Sequence, residues 1–226
     1  MLQDTSQTII EKTDKAKISM IMDKHVYDRE KIDIVVLDFG GQYTHLIKRM
    51  LEELDINVEI LPYTITHRQL LDFHVKGVIL GGGPSSVYEE NAPKCDLNIL
   101  RNPKLKILGI CYGHQLIAHQ LDGFVKKGVK SEYGLAELII DEPSDPLFYN
   151  IPSKLQVWAS HTDEVAKLPL GGKTIAHSLN CSVEAFNIHN RVWGVQFHPE
   201  VSQTEYGYEL FENFAIRISK CNRLQL

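Results

Sequence analysis

The chain has no run of about 20 apolar residues, the length a membrane-spanning helix requires. Its apolar runs, such as Ile34 to Leu37, are far shorter. It has no excess of basic residues: the formal net charge is −5, which excludes a general affinity for nucleic-acid backbone or anionic lipid. The one basic run, Lys126, Lys127 and Lys130, is short and reads as a solvated face. Cysteine is scarce. The four cysteines stand at 95, 111, 181 and 221, with no Cys-x-x-Cys pair or other metal-ligand spacing. This argues against a disulfide framework and for free thiols in a reducing compartment. Residues Met1 to Thr8 lack the basic start and apolar stretch of a secretory signal, so a cytoplasmic location is expected. There is no internal repeat and no low-complexity linker.

The composition that remains suits one domain with a full core: 226 residues, 43% apolar and 23% charged. Residues 1–30 show no clear period and read as an extension, disordered or part-helical. The domain is expected over 31–220, with a short tail at 221–226. Within it, Ile32 to Leu37 is brief, β-branched and apolar, which suits a buried strand. A helix follows from Tyr43 to Leu54, with Leu46, Ile47, Met50, Leu51 and Leu54 on one face. Strands are predicted at Asn57 to Leu61, Gly77 to Leu80 and Leu105 to Ile110, and helices at Thr66 to Phe73 and Tyr112 to Leu121. Alternating strands and helices predict an α/β fold, with a largely parallel central sheet flanked by helices. The second half is strand-rich: Ala136 to Ile140, Leu155 to Ser160, Thr174 to Ser178, Val183 to Ile188 and Val192 to Phe197. Many of these are expected to be antiparallel, making the sheet mixed. A last amphipathic helix runs from Tyr206 to Ile218.

In parallel sheets, sites form at the carboxyl ends of strands. Three turns of interest lie there: Asp38 to Gln42, Gly81 to Ser86 and Cys111 to Gln115. Gly109-Ile110-Cys111-Tyr112-Gly113 places a nucleophile on a tight strand-to-helix turn, with glycines on both sides to let the backbone pass closely. The helix beyond points its N-terminus at the sulfur, which favours negative charge there. The N–H of Tyr112 is then placed to stabilise an oxyanion. Cys95, Cys181 and Cys221 lack such a setting and read as packed apolar residues. Of ten histidines, His198 has the setting of a base. It follows a strand and is held extended by Pro199, so that Glu200, two residues on, points to the same side and can orient its ring. His114 is expected at the pocket rim and His161 at a rim or an interface. Gly81-Gly82-Gly83-Pro84-Ser85-Ser86 follows a strand but lacks the Gly-Lys-Ser/Thr ending of a phosphate loop. Its better reading is an N–H at Gly83 that completes an oxyanion hole with Tyr112. Three glycines in a row also suggest a loose loop, ordered only on docking to a partner, and hence weak resting activity.

Taken together, Gly81-Gly-Gly-Pro-Ser-Ser, Leu108-Gly-Ile-Cys-Tyr-Gly-His-Gln and Gly194-Val-Gln-Phe-His-Pro-Glu resemble the class I (triad) glutamine amidotransferase family. Asp38-Phe-Gly-Gly-Gln-Tyr-Thr, Glu132-Tyr-Gly, Trp158-Ala-Ser-His-Thr-Asp-Glu-Val and His198-Pro-Glu-Val-Ser-Gln-Thr-Glu-Tyr-Gly are similar to its GMP synthetase branch. The resemblance covers about Ile32 to Ile218. It implies a triad of Cys111, His198 and Glu200, with oxyanion donors at Gly83 and Tyr112. It also implies that Gln115 and Asn180 hold the backbone groups of glutamine. The implied reaction releases ammonia through a γ-glutamyl thioester and hands it to an ATP-pyrophosphatase unit that makes GMP from xanthosine monophosphate. No cofactor is expected in this chain; ATP and Mg are expected on that partner. No Ser-Gly-Gly-Val-Asp-Ser segment of a synthetase occurs in the 226 residues. Two positions depart from the family pattern. Gly81 stands where Ser is frequent, and Leu135 where a basic residue is common, which implies altered substrate or partner contacts. The glutaminases of anthranilate, carbamoyl phosphate or CTP synthesis, a γ-glutamyl hydrolase, and a docking module without activity are the competing readings.

Overall fold

The computed structural model describes residues 12–21 and 32–224. The rest of the expected extension, the boundary near residue 31 and the last two residues of the tail lie outside the described residues. Residues 12–21 are helical (α1). Ile18 of that helix is buried in the core, and Thr64 Oγ1 donates to Asp14 Oδ2 at 2.8 Å.

Among the described residues, nine strands form one mixed sheet in the order β2-β1-β3-β4-β9-β8-β7-β5-β6. The parallel half comprises β1 (Ile34–Asp38), β2 (Val58–Pro62), β3 (Gly77–Leu80), β4 (Lys106–Ile110) and β9 (Val192–Val195). The antiparallel half adds β8 (Ala185–Ile188), β7 (Gly172–His177), β5 (Phe124–Ile140) and β6 (Lys154–Lys167). The expected mixed α/β architecture is the one observed. Side chains of successive residues point to opposite faces, and this divides the core in two. Ile34, Val36, Ile79, Leu108 and Ile110 pack with α2 (Thr44–Glu53) and α6 (Gly207–Glu212), the latter continued by a π-helical turn over Asn213–Ile218. Val35, Leu37, Val78, Leu80 and Ile107 pack with α1, α3 (His67–Leu71), α4 (Leu97–Arg101) and α5 (Tyr112–Gln120).

The two long strands differ from expectation. β5 begins twelve residues before Ala136, and β6 continues past Ser160 to Lys167. Together they form an antiparallel ribbon beyond the parallel half, and β6 carries part of the site wall. Helix α4 also falls outside the expected elements. It is capped by Asp96, whose side chain accepts from the N–H of Asn98. Among the described residues, no helix is long and apolar enough to cross a membrane.

Candidate active site

Strand β4 ends at Ile110 and α5 starts at Tyr112. The residue between them, Cys111, has φ 51° and ψ −103°, a left-handed conformation costly for a side chain with a Cβ. The turn is this tight because its flanks interlock. A Cβ on Gly109 would lie 2.5 Å from the Gly113 carbonyl oxygen, and one on Gly113 would run into the Leu80 carbonyl. The strained cysteine is pinned by two backbone bonds: its N–H donates to Val195 O at 2.9 Å, and its carbonyl accepts from Gln115 N at 3.1 Å. The thiol lies 3.7 Å from the Ser160 carbonyl oxygen.

Beyond the end of β9, His198 is set by its own backbone. Its N–H donates to Trp158 O at 2.9 Å, and its carbonyl accepts from Thr204 Oγ1 at 2.6 Å. Nδ1 of the ring stands 2.8 Å from Glu200 Oε1. Tyr43 meets the ring edge-on, centroids 5.4 Å apart. Burial pulls the imidazole toward neutrality, but contact with Cys111 and Glu200 outweighs it and raises the ring above its ordinary value. The other thiols differ. Burial pushes Cys95 and Cys221 up to about 12, as for inert packed cysteines, and raises Cys181 as well.

Cys111, His198 and Glu200 line one cavity of about 510 Å³ with Gly82, Gly83, Tyr112 and Gln115. Its walls also include Tyr43, Ser86, Tyr133 and the Ser160 to Asp163 segment of β6. Six of the seven expected site residues thus converge. Gln115 is nearly buried, and its Nε2 donates to the Asp163 carbonyl at 2.9 Å and to Gln196 Oε1 at 3.0 Å.

Asn180 is the exception. It lines separate hollows with Leu179 and His177, because the 178–181 turn is tied to β5: Asn180 Nδ2 donates to Glu132 Oε1 at 2.9 Å. The placement of Asn180 beside glutamine is therefore corrected. His114 is not at the rim either. It is fully buried, its ring tilted 36° against Phe186 with centroids 4.7 Å apart, and burial drives it down to about 3. His161 does line the cavity, but as a buried residue.

The glycine loop is shaped by its neighbours. None of Gly81, Gly82 and Gly83 has a positive φ; their neighbours crowd the space a Cβ would take, most severely at Gly83. A Cβ on Gly83 would meet Phe39 O at 2.9 Å, and one on Gly82 would meet His198 Cε1 at 3.3 Å. Downstream, the loop is clamped. Asp163 accepts from Ser86 Oγ at 2.5 Å and from Tyr88 OH at 2.8 Å. Ser86, Tyr88 and Asp163 carry no chemistry-bearing spacing in the sequence; Ser86 and Asp163 lie in segments that carry the resemblance, and that was the one signal for them. Leu135 lies exposed on β5, outside the cavity.

The model of the class I glutamine amidotransferases matches residues 35–218, and the chain belongs to that family. Within it, the glutamine-hydrolysing GMP synthase of Thermosynechococcus vestitus is 44% identical over 189 residues, which is 83% of this chain and 35% of that protein. The GMP synthase of Mesoplasma florum is 45% identical over 193 residues, 84% of this chain and 37% of that protein. The chain thus spans about a third of the length of these relatives. A crystal structure described as that of a putative GMP synthase subunit from Thermoplasma acidophilum shares the fold with a TM-score of 0.76 at 34% identity, over 84% of this chain and 95% of that one. A glutamine amidotransferase from Methylobacillus flagellatus, at 16% identity, has a TM-score of 0.70 over 87% of this chain and 98% of that one, a likeness of fold alone.

Proposed function

We propose that this chain is the glutaminase component of a GMP synthase, with Cys111, His198 and Glu200 as its triad. The carrying observation is the buried His198–Glu200 pair in contact with a strained cysteine at the head of α5. His198 already holds its proton beside Cys111, and the sulfur attacks the side-chain carbonyl carbon of glutamine as a thiolate. The N–H groups of Gly83 and Tyr112 stabilise the oxyanion. His198 then gives its proton to the departing amide nitrogen, and ammonia leaves a γ-glutamyl thioester. Water, deprotonated by the same imidazole, cleaves the thioester to glutamate and restores Cys111. Gln115 has Nε2 engaged with Asp163 and Gln196. What it offers the substrate is its carbonyl oxygen, an acceptor for the α-ammonium group.

The ammonia passes to an ATP-pyrophosphatase unit, cytoplasmic like this chain, which binds ATP and Mg and converts xanthosine monophosphate to GMP. The names of the relatives and the coverage of the Thermoplasma structure support this reading. The test is glutamate release from glutamine, with and without an ATP-pyrophosphatase unit loaded with ATP, Mg²⁺ and xanthosine monophosphate, with Cys111→Ala as control. Release that depends on Cys111 and rises with the loaded partner is expected. Cys111-dependent release that is already full without the partner removes the gating but leaves the glutaminase. No Cys111-dependent release under either condition overturns the triad.

A further inference from the structure

Strand β6 brings a second cluster together behind the cavity wall. Nδ1 of His161 lies 3.1 Å from the backbone oxygen of Asp163. A carbonyl can only accept, so Nδ1 carries the hydrogen. The neutral ring then presents a bare lone pair at Nε2, 3.3 Å from Glu132 Oε2. Two acceptors face each other. Cys181 Sγ and a Glu184 carboxylate oxygen join them: these two atoms and a His161 ring nitrogen all lie within 4.8 Å of one another. All four side chains are buried, Glu184 completely. Both Glu184 oxygens, Glu132 Oε2 and His161 Nε2 meet no hydrogen-bond partner among the described residues. Ser178 and Glu132 lie beside Glu184, but outside hydrogen-bond geometry. The charged neighbours that act most on Cys181 are carboxylates: Glu184, Glu132 and Glu164. Such a group requires a cation or shared protons.

We propose that His161, Cys181, Glu184 and Glu132 bind a transition-metal dication of the zinc class. A donor set of imidazole nitrogen, sulfur and carboxylate oxygen suits zinc, whereas Mg²⁺ and Ca²⁺ take oxygen donors. The supporting contacts are those of a metal-binding histidine, which hands its other N–H to a carbonyl and so aims its free nitrogen inward. Glu132 is oriented likewise. Oε1 accepts from Asn180 Nδ2 at 2.9 Å and from Ser178 Oγ at 3.5 Å, which leaves Oε2 for the metal. Asn180 is thus a positioning residue for a metal ligand. As the metal–sulfur bond forms, the Cys181 thiol loses its proton to solvent. The metal ties β5, β6 and the 178–184 segment together, and so braces the wall formed by Ser160 to Asp163.

The test uses the full chain, stripped by a chelator and titrated with Co²⁺ or Zn²⁺. We expect one equivalent of Co²⁺ to give a sulfur-to-cobalt charge-transfer band that survives in Cys111→Ser and is lost in Cys181→Ser. Zn²⁺ is expected to raise the thermal midpoint of the parent and not that of Glu184→Gln, a readout that holds if Cys181→Ser does not fold. Absence of both the band and the Zn²⁺ shift, with Glu184→Gln as stable as the parent, overturns the proposal in favour of shared protons. A band lost in Cys111→Ser but kept in Cys181→Ser overturns it too, by placing the metal at the cavity. These readouts stand apart from glutamine hydrolysis, so the two proposals fail separately.

Discussion

Asp163 holds the glycine loop from across the cavity: its carboxylate accepts from Ser86 Oγ at 2.5 Å and from Tyr88 OH at 2.8 Å. The same residue accepts from Gln115 through its backbone oxygen. One residue of β6 thus sets both the loop that carries Gly83 and the side chain proposed to hold the substrate. Asp163→Ala removes the clamp and keeps the backbone contact. We expect it to lower kcat/KM for glutamine by about a hundredfold, as a misplacement of about 1 Å can. Ser86→Ala and Tyr88→Phe, which each leave one tether, should lose less. Hydrogen exchange at 83–88 should accelerate in Asp163→Ala; an unchanged exchange rate there would show that the clamp does not order the loop.

The His198 imidazole gives a prediction in pH. Burial lowers it, while Cys111 and Glu200 raise it more, to about 10 from an ordinary 6.5. The folded protein therefore holds this proton more tightly than the unfolded chain does. The stability it contributes is complete below pH 6.5 and is lost as pH rises through about 10. Glu200→Gln removes one of the groups that raise the ring. In urea unfolding, the gap in stability between parent and Glu200→Gln should be widest near pH 6.5 and narrow toward pH 10. A gap constant across that window would mean that Glu200 acts on His198 through packing rather than charge.

How much of this was legible in the sequence depended on where burial was apolar. The parallel strands β1, β3 and β4 are short apolar runs ending in turn residues, and their hydrophobicity marks them directly. In β6, every second residue from Leu155 to Val165 is buried, but two of these positions are His161 and Asp163. They break the apolar alternation because they face the cavity and the buried cluster, so the visible pattern stops at Ser160. Strand β5 alternates still less, because much of it is exposed on both faces. The convergence of Cys111, His198 and Glu200 on one cavity was legible because they sit in rigid local contexts: Cys111 between two glycines, and His198 and Glu200 across a proline. Asn180 was misplaced because its position depends on a contact with Glu132, 48 residues away in the chain, which no local pattern records.

The glycines separate stability from chemistry. Gly113 faces backbone, since a Cβ there would enter the Leu80 carbonyl, and neither β3 nor α5 can move without breaking the sheet. Gly113→Ala is expected to cost about 3 kcal/mol, the upper range for overpacking, and to displace Cys111 with the elbow. Gly82 faces side chains instead: an added methyl would lie 3.3 Å from His198 Cε1 and 3.9 Å from Cys111 Cβ. His198 can give by a few tenths of an ångström, so Gly82→Ala should fold with nearly the parent's urea midpoint. Its methyl would nevertheless stand between the proposed nucleophile and base, where the amide of glutamine must enter, and glutamate release should fall by at least about tenfold, or about 1.4 kcal/mol in transition-state binding. If Gly82→Ala keeps full activity, the reacting amide does not pass between Cys111 and His198, and the placement of the substrate in this cavity is wrong.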